Sequence, residues 1–584
     1  MIKLAKSRLS FGAVLGAILF MILQVSCDLF LPTVTANIVD KGIAQNNIGY
    51  IWNQGIMMII VSIVGVAAAA GNVYFASTQS MKLGAKIRSD LFKKVINFSS
   101  EDIDKFGEAS LNTRTTNDVV QIQNVMVQIL RMMLMSPIML IGAGILAYIK
   151  SPRLTSSFAI AIPVLAVAVM IVMFFAVPLF KSLQKKTDDI NLVFREGLTG
   201  VRVIRAFNQD DFEQERFDKA NKDFANTGMR VFTIVSFIMP IMTLVLSFTN
   251  VGIIWLGGKL VSAQALQVGN LLSFITYSAQ ILISFMMLSL IFVFIPRASA
   301  SAARINEVLD VKDSITDPKN PVSTTSETKQ PSLKFDHVNF RYANAEKLAL
   351  EDVDFEAKGG QTVAIIGGTG SGKSSLVNLI PRLFDPESGE ISLNGVDIKD
   401  MTQHDLHAQI SITQQKAILF SGTIRENMLF SKPDATDEEI WHALDVAQAS
   451  DFIKNDKDAG LDYIVEQNGE NFSGGQRQRL VIARTILKPA DVYIFDDSFS
   501  ALDFKTDSEL RMALNHDEQV SRGISVIVAQ RISTVASADL ILVLDNGQVV
   551  GKGTHQELVE NNPIYQDIMN SQIKKEEGGL IDAK

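Results

Sequence analysis

The sequence predicts an α-helical membrane domain followed by an α/β domain built around a phosphate-binding loop. Three observations carry this prediction. The 584 residues are 47% apolar, long apolar runs crowd the N-terminal half, and the motif Gly367–Ser374 follows a short apolar strand in the C-terminal half. A chain this long and apolar cannot form one soluble core, so it divides into domains and part of it belongs in lipid.

Six apolar runs are long enough to cross a bilayer, which requires about 20 residues in a helix. The runs are 11–36, 55–77, 132–149, 157–180, 231–256 and 271–296. Buried helices of a soluble protein are the alternative interpretation. Lys3, Lys6 and Arg8 precede the first run, and no small-residue cleavage site ends it, which predicts a retained anchor rather than a cleaved signal.

The distribution of basic residues predicts the orientation. The connectors 78–131 and 181–230 are long and rich in Lys and Arg, so we expect them, the N-terminus and the C-terminal domain to be cytoplasmic. Both connectors keep helical periodicity, which predicts six transmembrane helices with long cytoplasmic extensions. Residues 99–106 predict a short capped helix at the first cytoplasmic turn, and the stretch from Phe207 to Phe217 predicts a comparable one; a solvated charged loop is the alternative for each.

Composition also limits partners and domain boundaries. A net charge of −8 without a concentrated basic surface gives no reason to expect a nucleic-acid partner. The lone Cys27 cannot form an internal disulfide. Residues 311–332 are polar, which predicts a linker between a membrane domain at 1–310 and a second domain at 333–584.

The second domain has the pattern of an α/β fold. Apolar strands are predicted at 363–366, 492–495 and 525–528, and Asn546-Gly547 predicts a late hairpin. A strand that enters a glycine loop and then a helix is the context that a phosphate-binding loop requires. The predicted ATP-binding residues of this loop are Gly367, Gly368, Thr369, Gly370, Ser371, Gly372, Lys373, Ser374 and Ser375.

The chemistry of ATP and Mg²⁺ assigns roles to several side chains. We expect Lys373 to contact the β- and γ-phosphates, and Ser374 to hold Mg²⁺. Asp496 ends an apolar strand and is placed to deliver a carboxylate to the metal. Tyr342 offers an aromatic face for adenine, although it could also be a half-buried strand residue.

The order of these motifs resembles the nucleotide-binding domain of an ABC transporter. The resemblance rests on Tyr342, the glycine loop, Gln415, Ser473-Gly474-Gly475-Gln476, Asp496, Ser500-Ala501-Leu502-Asp503 and Gln530. With six spans ahead of it, the whole chain is similar to a half-transporter of the exporter type, with an α/β P-loop ABC ATPase domain.

This resemblance implies that two such domains pair head to tail. Each ATP then lies between the glycine loop of one chain and the signature of the other, here Ser473, Gly474, Gly475 and Gln476. It also implies that Gln415 touches Mg²⁺, although Gln414 replaces the usual preceding proline, and that Asp503 belongs to the family's D-loop.

Two positions depart from the family pattern where catalysis would take place. Asp497 stands where the family has a catalytic Glu, and Gln530 stands where it has a His, whereas the Ser-Gly-Gly-Gln of the signature is intact. A carboxylate one methylene shorter loses reach to the attacking water. The pattern is similar to the degenerate-site subunit of bacterial heterodimeric multidrug ABC exporters, and it implies a homologous half-transporter as partner.

The resemblance implies export of hydrophobic or amphipathic compounds through the plasma membrane, and three residues of the spans are candidates for their path. Asp28 is costly within a span unless it faces water or a partner. It could attract cationic compounds; a hydrogen-bonded structural acid and an acid near the outer interface are the alternatives. Met286 and Met287 are soft side chains that suit a cavity for varied ligands, but they also suit ordinary packing. A lipid flippase and an ATP-gated channel or regulatory ABC protein are the alternatives to a drug exporter.

Overall fold

A computed structural model describes residues 2–289, 291–312, 314–322, 330–343, 345–456 and 459–581. The chain separates into two compact units. The first comprises Met1–Ile96 and Glu108–Val311, and the second comprises Asn97–Gly107 and Lys312–Lys584. The predicted fold class, membrane helices followed by an α/β domain, is confirmed. The domain boundaries predicted from the sequence stay a prediction.

The regular structure of the first unit is helical in every part that the structure describes. Short π-helical turns at Ile38–Ile43, Arg114–Asp118 and Ile129–Met133 extend or join some of its helices. The helices in chain order, of which α4 belongs to the second unit, are α1 (Ile2–Lys6), α2 (Phe11–Asn37), α3 (Ile48–Ile96), α4 (Ser100–Phe106), α5 (Glu108–Thr113), α6 (Val119–Gln128), α7 (Leu134–Lys150), α8 (Pro152–Ala206), α9 (Asp210–Ser236), α10 (Ile238–Ser262), α11 (Val268–Ser289) and α12 (Ile291–Leu309).

Six helical stretches in the described part of the chain are long and apolar enough to cross a membrane, as predicted. Four of them are far longer than a bilayer requires, with 43 to 55 residues; among these, α3 has 49 residues and α8 has 55. At about 1.5 Å per residue α8 extends well past a hydrocarbon core of about 30 Å. The sixth stretch, Val268–Leu288, overlaps the predicted run 271–296.

The first predicted cytoplasmic turn is confirmed and the second is wrong. Ser99 caps α4, because its hydroxyl accepts a hydrogen bond from the backbone N–H of Asp102 at 3.2 Å. After α8 ends at Ala206, however, α9 begins directly at Asp210 and runs for 27 residues. Acidic residues in a first turn favour the N-terminus of any helix, so Asp210 and Asp211 mark the start of a long helix rather than a separate short one.

The described residues of the second unit form three sheets, with helices between many of the strands. Its strands are β1 (Ser332–Phe340), β2 (Leu350–Lys358), β3 (Thr362–Gly367), β4 (Ser388–Leu393), β5 (Val396–Asp397), β6 (Ile410–Thr413), β7 (Gly422–Thr423), β8 (Ile464–Val465), β9 (Val492–Asp496), β10 (Ile524–Val528), β11 (Leu540–Asp545) and β12 (Gln548–Gly553). Its helices after α12 are α13 (Lys373–Leu379), α14 (Gln403–Ala408), α15 (Ile424–Leu429), α16 (Asp437–Val446), α17 (Ser450–Asp456), α18 (Gly474–Leu487), α19 (Phe504–His516), α20 (Ile532–Val535), α21 (His555–Asn561) and α22 (Pro563–Ile581).

The largest sheet has the order β12-β11-β3-β10-β9-β6. All its neighbouring pairs are parallel except β11 with β12, which form the predicted antiparallel hairpin. Within β3, Val363 and Ile365 pack into one hydrophobic cluster and Ala364 and Ile366 into another, so both faces of the sheet are covered. Burial on both faces explains why these strands read as continuous apolar runs.

The hairpin turn at Asn546-Gly547 contacts the glycine loop. The N–H of Gly547 donates to the carbonyl of Ser371 at 3.1 Å, and both turn residues have positive φ, 47° and 85°. A Cβ added to Gly547 would lie 2.8 Å from the carbonyl oxygen of Ala349. This position therefore requires glycine both for its left-handed backbone and for the close approach.

We expect Gly547→Ala to destabilise the second unit by about 1–3 kcal/mol, because the left-handed backbone and the clash add to each other. Gly395→Ala is the matched control, since Gly395 also has a left-handed φ, 78°, but nothing lies within 4 Å of its added Cβ. Thermal unfolding of the purified full chain measures both variants. Equal loss of Tm in the two variants would contradict a role for the contact with Ala349.

Candidate ATP-binding site

The glycine loop joins the end of β3 to the start of α13. Gly370 and Gly372 have φ of 81° and 102°, conformations that L-residues rarely adopt, so the loop can turn sharply with its backbone N–H groups free of side chains. The Nζ of Lys373 donates to the carbonyls of Gly367 at 3.0 Å and Gly368 at 2.7 Å. Burial lowers the pKa of Lys373, an effect opposed by the charges of Asp497 and Asp496.

Three oxygen-bearing side chains meet beside this loop. Asp496 is the last residue of β9, and its Oδ1 accepts from the hydroxyl of Ser374 at 3.3 Å; Gln415 lines the same cavity. Burial raises the pKa of the Asp496 carboxyl, since only 5% of the residue is exposed. A cation would relieve that cost, and hydroxyl, amide and carboxylate oxygens suit Mg²⁺.

Mg²⁺ thus fits these residues, with Ser374, Gln415 and Asp496 as the groups that would hold it. Within the described ranges no three His, Cys, Asp or Glu side chains form a metal cluster. Mg²⁺ is commonly bound through only one or two carboxylates and completes its shell with phosphate oxygens and water, so a site with a single carboxylate, Asp496, is appropriate. When bound, the ion would neutralise charge on the phosphates.

Tyr342 lies at the rim of the cavity and is attached to the loop helix. Its hydroxyl forms a 2.8 Å hydrogen bond with the hydroxyl of Ser375 in α13. Its ring packs edge-on against Phe340 and Phe384, yet 38% of the residue is exposed. The ring is therefore held in one orientation and keeps an accessible surface for a planar base.

These residues surround one cavity of about 980 Å³, large enough for a nucleotide. From the predicted set, it is lined by Tyr342, Thr369, Gly370, Gly372, Lys373, Ser374, Ser375, Gln415, Asp496, Asp497 and Gln530. Gly367, Gly368 and Ser371 belong to the same loop without lining the cavity. The turn 546–548 also lines it, which sequence reasoning missed: the hairpin was predicted, but only the pairing of β11 beside β3 brings its turn to this edge.

The two residues that depart from the family pattern are hydrogen-bonded to each other. The amide Nε2 of Gln530 donates to Oδ2 of Asp497 at 2.8 Å. Asp497 has a left-handed backbone, φ 49°, which ends the extended run of β9, and its N–H donates to the carbonyl of Val528 at 3.1 Å. Burial raises the pKa of the Asp497 carboxyl, and the hydrogen bond from Gln530 opposes that rise.

The signature residues lie outside this cavity. Ser473 caps α18: its hydroxyl accepts from the N–H of Gln476 at 3.2 Å, while Oε1 of Gln476 accepts from the N–H of Ser473 at 3.0 Å. The side chain of Gln476 therefore helps to cap the N-terminus of α18. Ser473 and Gly474 are exposed, and nothing lies within 4 Å of a Cβ built on Gly474, so the start of a 14-residue helix is open to an anion.

Asp503 has a comparable local role. Its two carboxylate oxygens accept from the N–H and the hydroxyl of Thr506 at 3.0 and 2.8 Å, which caps α19. The backbone hydrogen bond from Thr506 lowers the pKa of the Asp503 carboxyl. The residue is exposed, as a group that faces another chain would be.

In the membrane unit the structure separates the three predicted path residues. Asp28 and Met287 line one cavity of about 410 Å³ between α2, α7 and α11. Met286, by contrast, packs against the cluster formed by Leu165, Met242, Val245 and Leu282 and does not line this cavity. The structure therefore places Met287, but not Met286, beside Asp28, and the substrate path itself stays a prediction.

Comparison with known proteins agrees with these observations. Residues 14–285 match the family described as ABC transporter transmembrane region, and residues 350–500 match the family described as ABC transporter. An uncharacterized ABC transporter ATP-binding protein of Mycobacterium tuberculosis is 38% identical over 96% of both chains. The probable multidrug resistance ABC transporter ATP-binding/permease protein YheI of Bacillus subtilis is 31% identical over 94% of both.

The fold has a solved counterpart. The structure of a bacterial Atm1-family ABC exporter with ATP bound superposes with a TM-score of 0.79 and 22% identity, covering 96% of this chain and 98% of the other. Relatives above 30% identity that match over nearly the whole length, together with the site geometry, settle the family. The chain belongs to the ABC transporters, as a multi-pass membrane half-transporter whose cytoplasmic ATPase domain couples ATP to movement across the membrane.

Proposed function

We propose that this chain is one half of a heterodimeric ABC exporter, that its own ATP site hydrolyses slowly, and that its signature completes the faster site of a homologous partner. The exported compounds are hydrophobic or amphipathic, as in a multidrug exporter. The observation that carries the proposal is the 2.8 Å hydrogen bond between Gln530 and Asp497.

This hydrogen bond supports slow hydrolysis for a geometric reason. A general base must lie within hydrogen-bond reach of the water it activates, and Asp497 is one methylene shorter than the Glu usual in the family. One of its oxygens already accepts from Gln530, which competes with a water for that oxygen. An amide also carries no titratable proton, so Gln530 cannot substitute for an imidazole.

ATP binding is proposed to remain intact at the same site. The loop, Lys373, Ser374, Asp496 and Tyr342 keep the residue types that hold phosphates, metal and base, and they line one cavity. Such a site would retain ATP through several turnovers of the partner's site. The exposed start of α18 at Ser473 offers N–H groups for the ATP bound to the partner, which supports a division of labour between the two chains.

The double change Asp497→Glu with Gln530→His should raise hydrolysis at this site by about 10²-fold or more, because positioned general-base catalysis contributes about 10²–10⁴-fold. Steady-state phosphate release by the full chain in lipid nanodiscs measures the gain. Adding Lys373→Ala to the double variant is the control and should abolish the gain. An unchanged rate in the double variant would refute this account of the slow site.

Co-purification from native membranes tests the heterodimer. We expect a tagged full-length chain to bring down a homologous half-transporter with Glu and His at the positions of Asp497 and Gln530. Recovery of only this chain, as a homodimer that hydrolyses ATP at a typical enzyme rate of about 10 s⁻¹, would contradict both the partner and the slow site.

The membrane cavity beside Asp28 supports amphipathic cations among the exported compounds. No ion pair or hydrogen bond to the Asp28 carboxylate is present among the described residues, and no Lys or Arg lines the cavity. The hydroxyls of Thr35, Ser136 and Thr276 all donate to carbonyls of their own helices. The cavity thus combines an acceptor that needs a donor with methionine side chains that adapt to apolar groups.

Asp28→Asn should lower ATP-driven uptake of ethidium into inverted vesicles several-fold while sparing an uncharged amphipathic dye, because only the cation loses a charge partner. The vesicles carry this chain with its co-purified partner. Met287→Ala should also change uptake, whereas Met286→Ala, the neighbouring residue that faces elsewhere, is the matched control. Full ethidium uptake by Asp28→Asn would exclude a cation site here. If the vesicles let ethidium flow down its gradient and do not accumulate it, a gated channel would be favoured over an exporter.

A further inference from the structure

We propose that Gln572, in the C-terminal helix α22, is a positioning residue for the ATP site. It holds the loop that carries Gln530, which we call the switch loop and define as Gln530–Ile532. The inference concerns the placement of this loop, and it does not depend on whether the site is slow or on the identity of the partner chain.

The side chain of Gln572 contacts the switch-loop backbone twice. Its Oε1 accepts from the N–H of Ile532 at 2.9 Å, and its Nε2 donates to the carbonyl of Gln530 at 2.7 Å. One amide therefore satisfies a donor and an acceptor on either side of Arg531. The side-chain amide carries both functions on one planar group, so the contact fixes orientation as well as distance.

The contact of Gln572 leads to Gln530 and Asp497, the two residues that depart from the family pattern. The carbonyl that Gln572 holds belongs to Gln530, whose side chain donates to Asp497. On the other side of the loop, the guanidinium of Arg531 lies 4.9 Å from the ring centre of Phe504. Gln572, Phe504, Gln530 and Asp497 all line a second cavity of about 460 Å³ behind the pair. The switch loop is thus held by side chains from two different helices.

The base of α22 is itself well anchored, so it can hold the loop still. Tyr565 is fully buried, and its hydroxyl forms a 2.7 Å hydrogen bond with Nδ1 of His555. Asn562, just before the helix, accepts from the N–H of Tyr565 and donates to the carbonyl of Val550 in β12, both at 2.8 Å. Ile568 packs against the hydrophobic core. Gln572 therefore holds the switch loop at a fixed position relative to this core.

Loss of Gln572 should release the loop without unfolding the domain. The N–H of Ile532 and the carbonyl of Gln530 would lose their side-chain partner and turn to water, and the side chain at 530 would sample more positions. A group that acts near the terminal phosphate tolerates little displacement, because misplacement by about 1 Å can cost about 10²-fold in rate.

Hydrogen–deuterium exchange on the full chain in nanodiscs tests the placement. Gln572→Ala should raise the exchange rate of the peptide containing Ile532 at least tenfold, with the peptide spanning β12 unchanged as a fold check. Gln566→Ala is the matched control, because Gln566 lies on the same helix but donates to Val559 instead. Equal exchange in Gln572→Ala and the unaltered chain, or an equal rise in Gln566→Ala, would overturn the proposal.

A kinetic measurement separates positioning from stability. In the Asp497→Glu, Gln530→His background, Gln572→Ala should lower kcat about tenfold and leave KM for ATP within twofold, while Gln572→Asn should recover less than half of the loss because its amide is one methylene shorter. A parallel change in KM would mean that Gln572 supports ATP binding generally, which contradicts the proposal. If that background gains no activity, the slow-site account fails, and the exchange result still decides the role of Gln572.

Discussion

The site depends on the parallel register of β9, β10, β3 and β11. Parallel strands end at the same edge of a sheet, so the loops that follow them meet there although they are far apart in the chain. Val528 of β10 pairs with Asp496 of β9 and with Ile365 of β3, and these pairs fix the register of the three central strands. A slip of one residue would turn every side chain of a strand to the opposite face, and burial on both faces makes that costly.

This register also brings together Asp497 and Gln530, the two residues that depart from the family pattern. Asp497 follows β9 and Gln530 follows β10, so adjacent strands deliver them side by side, and their hydrogen bond is a consequence of that adjacency. Neither partner in this hydrogen bond is among the residues proposed to hold phosphate or metal. In the proposed function, binding and cleavage of ATP therefore depend on different side chains of one cavity, so the residues for cleavage can change while those for binding are kept.

The membrane unit obeys a different constraint. Lipid offers no hydrogen bonds to the backbone, so each segment that crosses the membrane here must be helical. The hydroxyl side chains near Asp28 follow the same constraint, since they donate to carbonyls of their own helices. Two acceptors that line this cavity, the Asp28 carboxylate and the Oε1 of Gln280, have no hydrogen-bond partner among the described residues. This methionine-lined space with unpaired acceptors is chemically distinct from the glycine loop, which offers backbone donors.

The sequence by itself determined the six spans, the glycine loop, Asp496 and the two substitutions, because each is written in local pattern: apolar length, strand–loop–helix order, or one residue beside a motif. Tertiary structure decided the rest. Adjacent residues of a helix point about 100° apart, so Met287 lines the cavity and Met286 does not, a choice that neighbouring helices make. The contact of Gln572 with the switch loop likewise has no local signature, since it joins backbone and side chain across 40 and 42 residues, and only the packing of α22 against the core brings them together.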